Sequence, residues 1–178
     1  MAEFILPAAQ GFAVVGASFV SGYIWCFSQA GVLTLRQAPA DVGVRQFKTM
    51  YNKGKSTSPL IVVAATLCNA YSAYRSSGSS VELVGGVVSP FALYVTAAVC
   101  LPAIIPFTLL VMEPGVNREL IRLGTLSEKG MELNRIKLME HDIQAMLVSW
   151  KGLNYVRAAL VGAGALISGL ATWHLSTI

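Results

Sequence analysis

Four long blocks without a charged side chain constrain the fold of this chain more than any other feature of its sequence. The blocks cover residues 4–35, 56–74, 83–112 and 158–178. A helix on a soluble protein carries charged residues on its outer face, whereas about 20 apolar helical residues cross a bilayer. The blocks therefore predict an all-α fold, a four-helix transmembrane bundle that forms one membrane domain over residues 1–178.

Helix start and stop signals place the ends of the expected spans. The spans are residues 7–35, 58–75, 87–112 and 152–175. Pro7 suits the first turn of the first span, and Ser58 and Pro59 suit the N-cap and the first turn of the second span. An amphipathic segment, residues 117–150, is expected to run directly into the fourth span, because no proline follows Pro114.

Basic residues give the expected topology. Residues 36–55 hold five basic residues and one acidic residue, and positive residues accumulate on the cytoplasmic side. This loop and residues 113–150 are therefore predicted in the cytosol, with both termini across an internal membrane such as the endoplasmic reticulum. Phe47, Met50 and Tyr51 share one face of a short interfacial helix in the loop. Since the basic residues lie beside the spans, the expected partner is a lipid bilayer and not nucleic acid.

The sequence carries no motif for a metal or a nucleotide. Cys26, Cys68 and Cys100 lie within spans and form no Cys-x-x-Cys pattern. His141 is expected to face solvent, and His174 lies off the polar face of the fourth span. There is also no glycine-rich phosphate loop and no nucleophile elbow. We therefore predict no metal site.

The entrance to the fourth span carries a distinctive polar group. Trp150, Asn154 and Arg157 lie within about 60° of one another on one helical face. Small and polar residues extend the same face, namely Val161, Gly164, Ser168 and Thr172. Arg157 has two interpretations. Its guanidinium either reaches the lipid headgroups or faces the bundle interior, and its place on this stripe favours the interior.

Two further amides are candidate site residues. Asn69 lies within the second span, where it either holds helices together or lines a pocket. Asn117 follows Glu113, Pro114 and Gly115, which are expected to break the helix. Asn117 therefore suits the N-cap of the segment that follows.

Three features together resemble the anthrone oxygenase family. They are the four spans in a short chain, Pro-x-x-Asn-x-x-Leu after the third span, and Trp-x-x-x-Asn-x-x-Arg at the fourth. The first motif begins at Pro114 and the second at Trp150. The resemblance implies an oxygenase of polyketide biosynthesis that needs no cofactor and uses molecular oxygen to convert an anthrone, an aromatic polyketide, to an anthraquinone.

This chemistry assigns roles to the candidates. Arg157 and Asn154 would stabilise the substrate anion, and Asn117 would orient a substrate hydroxyl. Trp150 would stack on the rings, and Asn69 would line the same pocket. The general base stays open between Glu113, Asp142, His141 and a polarised water.

Two other classes of protein fit the same layout. The first is a non-enzymatic scaffold or assembly protein, in which the polar stripe only joins helices. The second is a small transporter, although the internal repeats typical of transporters are not visible. An enzyme requires a void behind Trp150 lined by Asn154, Arg157 and Asn69, and a scaffold does not. A small-residue stripe in the first span, Ala9 to Ser21, suits either packing within the bundle or a homo-oligomer.

Overall fold

A computed structural model of the protein describes residues 2–78, 81–83 and 86–176. Four helical rods account for most of these residues, which confirms the predicted all-α, four-helix class. The first rod comprises α1 (Ala2–Cys26), a π-helical segment π1 (Phe27–Gly31) and α2 (Val32–Gln37), and the second rod is α3 (Ala40–Arg75). The third rod comprises α4 (Pro90–Cys100), α5 (Ile104–Phe107), a second π-helical segment π2 (Thr108–Asn117) and α6 (Arg118–Glu128). A short helix α7 (Leu133–Leu138) then leads to the fourth rod, α8 (Glu140–Ser176).

A short hairpin that the sequence did not predict precedes the third rod. Its strands are β1 (Val81–Leu83) and β2 (Gly86–Val88), which pair antiparallel with Val81 opposite Val88. Helix α4 begins at Pro90, since proline suits the first turn of a helix, so the rod starts slightly later than the expected residue 87. The sequence also predicts a turn over residues 76–80, which contain Gly78, and residues 79–80 of that turn lie outside the described residues.

The chain packs as two compact units. The first unit contains Met1–Gly22, Ser58–Ile104 and Ala159–Ile178, and the second contains Tyr23–Thr57 and Ile105–Ala158. Each unit by itself is a small bundle with one helical segment from each rod.

The first unit is organised around the fully buried Tyr94. Its hydroxyl accepts a hydrogen bond from Gln10 Nε2 at 3.0 Å and lies 3.1 Å from Thr172 Oγ1. Ala13 and Ala17, two members of the small-residue stripe, are also fully buried. That stripe therefore packs inside this unit.

The second unit contains the larger apolar core. Its buried members are Val32, Leu35, Ala40, Val44, Phe47, Met112, Val116, Leu120, Leu123, Ile136, Ile143, Leu147 and Trp150. Helices α3 and α6 approach closely at Gly124, where a Cβ atom would lie 2.6 Å from the carbonyl oxygen of Val44. A side chain at this position would force the two backbones apart.

The loop predicted before the second span is helical instead. Only Ala38 and Pro39 separate α2 from α3, which continues through Pro59, so Ser58 is not an N-cap. The reason is tertiary packing, because Ala40, Val44 and Phe47 recur at helical spacing and are buried in the core. Likewise α1 begins before Pro7.

The helix break predicted at Glu113-Pro114-Gly115 is also wrong. The chain continues as π2, and Asn117 has helical φ and ψ angles of −63° and −49° with no capping hydrogen bond. Pro114 has no N–H group for the usual helical hydrogen bond, and the wider π-helical turn accommodates that loss. The amphipathic segment is interrupted between α6 and α7 and again before α8, and only from Glu140 does it continue without a break into the residues of the fourth span.

Among the described residues, three helices are long and apolar enough to cross a membrane. They are Phe4–Gln37, Pro90–Glu128 and Glu140–Trp173. The protein is therefore membrane-associated. The apolar half of α3 contains Asn69, Tyr71 and Arg75, which lower its hydropathy, so the second span, residues 58–75, stays a prediction.

Candidate functional site

A hydrogen-bonded chain holds Arg157 inside the second unit. Arg157 Nη1 donates to Asn154 Oδ1 at 2.8 Å. Asn154 is 1% exposed, and its Nδ2 donates to Ser28 Oγ at 3.0 Å and to the Ile24 carbonyl at 3.2 Å. Since both hydrogens of the amide are directed at the first rod, the Asn154 oxygen has a fixed orientation and holds the guanidinium in place.

The guanidinium of Arg157 lacks a carboxylate partner. The ion pairs found in the described parts of the chain join other residues. Its Nε is buried and has no hydrogen-bond partner. A cation near hydrocarbon without a counter-ion is costly, so this position favours an anionic ligand.

Trp150 packs one turn before Asn154. Its indole is 2% exposed and meets the Phe47 ring edge-on, with ring centroids 5.3 Å apart and an interplanar angle of 85°. The indole Nε1 is buried and makes no hydrogen bond. A buried indole N–H usually has a partner, so this donor is available to a ligand.

Tyr51 and Glu113 form a second polar pair in the same unit. The Tyr51 hydroxyl donates a hydrogen bond to Glu113 Oε1, which joins α3 to π2. Burial raises the pKa of the Tyr51 phenol above its usual value, and the Glu113 carboxylate raises it further, whereas the positive charge of Arg157 lowers it. The phenol is therefore protonated at neutral pH and interacts electrostatically with Arg157.

Asn117 lies beside the Tyr51 hydroxyl and interacts with it, which slightly offsets the rise in the pKa of the phenol, but its amide makes no hydrogen bond of good geometry. Its side chain is fully buried, and neither Nδ2 nor Oδ1 has a hydrogen-bond partner. Leaving a buried amide unsatisfied costs about 1–3 kcal/mol. An amide at this position is well placed to bind a hydroxyl group, which both donates and accepts.

Both π-helical segments contribute to this group of residues. π1 contains Ser28, and π2 contains Glu113 and Asn117. Wider turns of this kind occur frequently at functional sites. We use the name polar cluster for seven residues of the second unit: Ser28, Tyr51, Glu113, Asn117, Trp150, Asn154 and Arg157.

Asn69 belongs to the first unit, where its amide is already occupied. Nδ2 donates to the Ala65 carbonyl at 3.0 Å, and Oδ1 accepts a hydrogen bond from Ser168. The side chain is fully buried. These contacts fit the interpretation of Asn69 as a residue that holds two helices together.

Three candidates considered from the sequence, His141, Asp142 and His174, are not part of the polar cluster. His141 and Asp142 have side chains that are 98% and 71% exposed, as expected for residues that face solvent. The side chain of His174 lies outside the described residues. Within the described residues, no three metal-binding side chains come together.

An open groove of about 640 Å³ lies in the second unit. Its lining combines apolar and polar side chains, namely Tyr23, Phe27, Val42, Arg45, Gln46, Thr49, Met50, Lys53 and Glu128. The groove is not lined by Trp150, Asn154 or Arg157, around which the sequence placed a void. However, Phe27 and Met50 also pack against the core that contains Trp150. These two side chains therefore belong both to the lining of the groove and to the surface of that core.

Sequence reasoning missed Ser28 and the position of Tyr51. The buried face of α3 was visible, since Tyr51 continues the spacing of Ala40, Val44 and Phe47, but we interpreted it as a membrane-surface helix. Nothing in the sequence distinguishes Ser28 from the other serines of the first span. It is found only by its contact with Asn154.

The comparisons with known proteins agree on one family. The sequence profile of the anthrone oxygenase family matches residues 47–167. The chain is 29% identical over 170 residues to anthrone oxygenase AgnL2 of Paecilomyces divaricatus, which covers 92% of this chain and 94% of that protein. It is 32% identical over 162 residues to monooxygenase hypC of Dothistroma septosporum, which covers 89% and 80%. It is 29% identical over 166 residues to anthrone oxygenase encC of Aspergillus fumigatus, which covers 87% of each. No solved protein structure matches.

The matched region contains both motifs that carried the resemblance, from Pro114 to Leu120 and from Trp150 to Arg157. It also contains every member of the polar cluster except Ser28. The family predicted from those motifs is thereby confirmed, and the chain belongs to the anthrone oxygenase family and is an oxygenase enzyme.

Proposed function

We propose that this protein oxidises an anthrone, an aromatic polyketide, to an anthraquinone with molecular oxygen and without a cofactor. The observation that carries the proposal is the polar cluster of the second unit. It presents a guanidinium without a counter-ion together with buried polar atoms that have no partner, at Asn117, Trp150 and Arg157. The names of the relatives favour the same substrate class.

The chemistry requires little from the protein. The benzylic carbon of an anthrone is acidic, because its two flanking aryl rings and the carbonyl delocalise the resulting anion. That anion is rich in electrons and reacts with oxygen directly. One anthrone and one oxygen molecule balance to one anthraquinone and one water, so the reaction itself requires no external reductant.

Arg157 and Asn154 are the proposed anion site. The negative charge that forms on the anthrone oxygen needs preorganised donors at a water-excluded position. Arg157 has an unused Nε–H, and its orientation is fixed through the bond between Nη1 and Asn154 Oδ1. Asn154 therefore positions the guanidinium, and Arg157 contacts the substrate.

Asn117 and Trp150 are proposed to orient the substrate. The amide of Asn117 would bind a hydroxyl group on a substrate ring, and the indole N–H of Trp150 would donate a hydrogen bond to a second oxygen atom of the substrate. Asn69 is assigned a structural role in this proposal, because its amide is satisfied by Ser168 and Ala65.

The groove is the proposed access route for the substrate. Its volume falls in the range of about 300–1000 Å³ that is usual for small-molecule sites. Phe27 and Met50 provide an apolar wall for a flat ring system. Rotation of these two side chains would open the groove toward the core that contains Trp150.

The scaffold alternative accounts poorly for the polar cluster. A residue that only joins helices should end with its polar atoms paired, as Asn69 and Ser168 do. Asn117 is fully buried, yet neither of its amide atoms makes a hydrogen bond of good geometry.

The proposed setting is an internal membrane, such as the endoplasmic reticulum, with four spans and a cytosolic segment over residues 117–150.

Isotope labelling with oxygen-18 gas tests the proposal directly. Purified protein in detergent should convert an anthrone faster than spontaneous oxidation does, with heat-denatured protein as the control. One labelled oxygen atom should appear in the anthraquinone and the other in water. A rate equal to that of the denatured control, at every anthrone tried, would refute the proposed activity.

A further inference from the structure

The proton acceptor is the one role that the sequence left open, and the structure separates its candidates. His141 and Asp142 are exposed to solvent. Glu113 is half-buried in the second unit and accepts the Tyr51 hydrogen bond. Among the side chains considered for this role, Glu113 alone lies in the polar cluster.

We infer that Tyr51 and Glu113 act together to remove the proton from the benzylic carbon of the substrate. This inference rests on the proposed function and adds the residue pair that carries the proton. Tyr51 is the catalytic residue, since its oxygen meets the substrate. Glu113 acts through Tyr51 as the final acceptor.

One hydrogen bond and two neighbouring side chains support the assignment. The hydrogen bond runs from the Tyr51 hydroxyl to the Glu113 carboxylate, so the proton path has the required direction. Arg157 interacts electrostatically with Tyr51, which places the pair near the proposed anion site. The amide of Asn117 lies beside the same hydroxyl and makes no hydrogen bond of good geometry, so a substrate oxygen would complete its hydrogen bonds.

The protonation behaviour of Tyr51 agrees with a relay. Burial and the neighbouring carboxylate raise the pKa of its phenol, so free tyrosinate is not the resting form. The phenol transfers its own proton to Glu113 as it receives the substrate proton. Tyr51 therefore stays neutral throughout the transfer, and the Glu113 carboxylate is the base that takes up the proton.

The first step breaks one benzylic C–H bond. Its proton passes to Tyr51, the Tyr51 hydroxyl proton passes to Glu113, and the electron pair of the bond enters the ring and carbonyl system. The resulting anion forms a C–O bond with oxygen. The peroxide oxygen at the far end then takes a proton back through Tyr51, which restores the Glu113 carboxylate and leaves a neutral hydroperoxide.

The second step uses the same pair again. The remaining C–H proton on that carbon passes through Tyr51 to Glu113, and its electron pair forms the new carbonyl as the O–O bond breaks. The departing hydroxide takes up one proton, supplied by Glu113, and leaves as water. Each cycle therefore returns both residues to their starting state.

Two substitutions test the inference, and kcat is measured for both. Glu113→Gln removes the acceptor, and Tyr51→Phe removes a single oxygen atom from the relay. Each should lower kcat at neutral pH by about 100-fold or more, which is the usual contribution of a positioned acid or base. Glu119→Gln is the matched control, since Glu119 lies on the same rod and pairs with Arg122 at the surface. It should keep wild-type activity.

A pH bypass separates proton transfer from a structural effect. At a pH where the anthrone ionises in solution, the activity of both variants should approach the wild-type rate, since the proton is already lost. A substrate with deuterium at the benzylic carbon should also show a larger isotope effect in the variants at neutral pH. Neither result is expected from a merely loosened fold.

Several outcomes would overturn the inference. One is a kcat within about threefold of wild type for folded Glu113→Gln and Tyr51→Phe, far short of the effect of a lost base. Another is a loss that persists at high pH, or that leaves the isotope effect unchanged. If Glu113→Gln does not fold, Tyr51→Phe decides alone. An inactive wild-type enzyme would instead count against the proposed function.

Discussion

Arg157 and Asn154 lie one helical turn apart on α8, with Nη1 of the arginine 2.8 Å from Oδ1 of the asparagine. The same asparagine uses its Nδ2 to bind Ser28 and the Ile24 carbonyl. The position of the only charged group on the polar stripe is therefore set by a neutral side chain. This relationship predicts that Asn154 and Arg157 have separable roles, in stability and in anion binding.

Removal of the Asn154 amide should destabilise the protein. Asn154→Ala removes a hydrogen-bond partner from the buried Ser28 and another from the half-buried Arg157, and a lost partner at a buried group costs about 1–3 kcal/mol. We expect a lower midpoint of thermal unfolding in detergent. Asn134→Ala is the control, since Asn134 is exposed. Equal midpoints for the two variants would show that the bridge contributes nothing to stability.

Alanine substitutions at two glycines should have opposite effects. At Gly124 a Cβ would lie 2.6 Å from the Val44 carbonyl oxygen, so Gly124→Ala should destabilise the protein by about 1–3 kcal/mol. At Gly152 a Cβ has open space, and alanine in a helix is favoured over glycine by about 0.5–1 kcal/mol. Thermal unfolding of both variants measures the difference. A destabilised Gly152→Ala would mean that Gly152 has a conformational role that the packing does not reveal.

A bulky side chain in the groove should hinder the substrate. Thr49 is exposed and lines the groove. Thr49→Trp should therefore raise KM severalfold while kcat changes little, because the polar cluster is untouched. Thr34→Trp is the control, since Thr34 is also exposed and makes the same type of hydrogen bond to the carbonyl four residues earlier. An unchanged KM in Thr49→Trp would exclude the groove as the access route.

The topology makes a prediction about the second rod. If residues 58–75 cross the membrane, both termini lie on one side and residues 113–150 lie on the other. Glycosylation sites added at the two ends should then be modified together, and a site added near residue 130 should stay unmodified. Modification at only one terminus would leave an odd number of spans and remove the α3 crossing.

The apolar blocks and the stripe of α8 could be predicted from sequence, because both depend on local periodicity. The same periodicity placed Trp150, Asn154 and Arg157 on one face, and the structure brings all three into one unit. The extent of α3 could not be predicted, because Val44 and Phe47 resemble an interfacial helix until their partners in α6 and α8 are known. The continuation of the helix through Pro114 could not be predicted either, since the sequence does not reveal that a π-helical turn accommodates this proline.

The pairing of Tyr51 with Glu113 was also beyond the sequence. The two residues are 62 positions apart and join different rods. No short motif links them, and only the packing of α3 against π2 brings the phenol to the carboxylate.

The most direct test of the account is the activity of Arg157 variants with purified protein and an anthrone under oxygen. Arg157→Lys keeps a positive charge but loses the planar donor fork, so it should retain partial activity. Arg157→Met should lower kcat by about 100- to 1000-fold, as expected for one lost preorganised donor. Both variants should fold, as judged by thermal unfolding in the same detergent. Wild-type activity in folded Arg157→Met would contradict the proposed anion site.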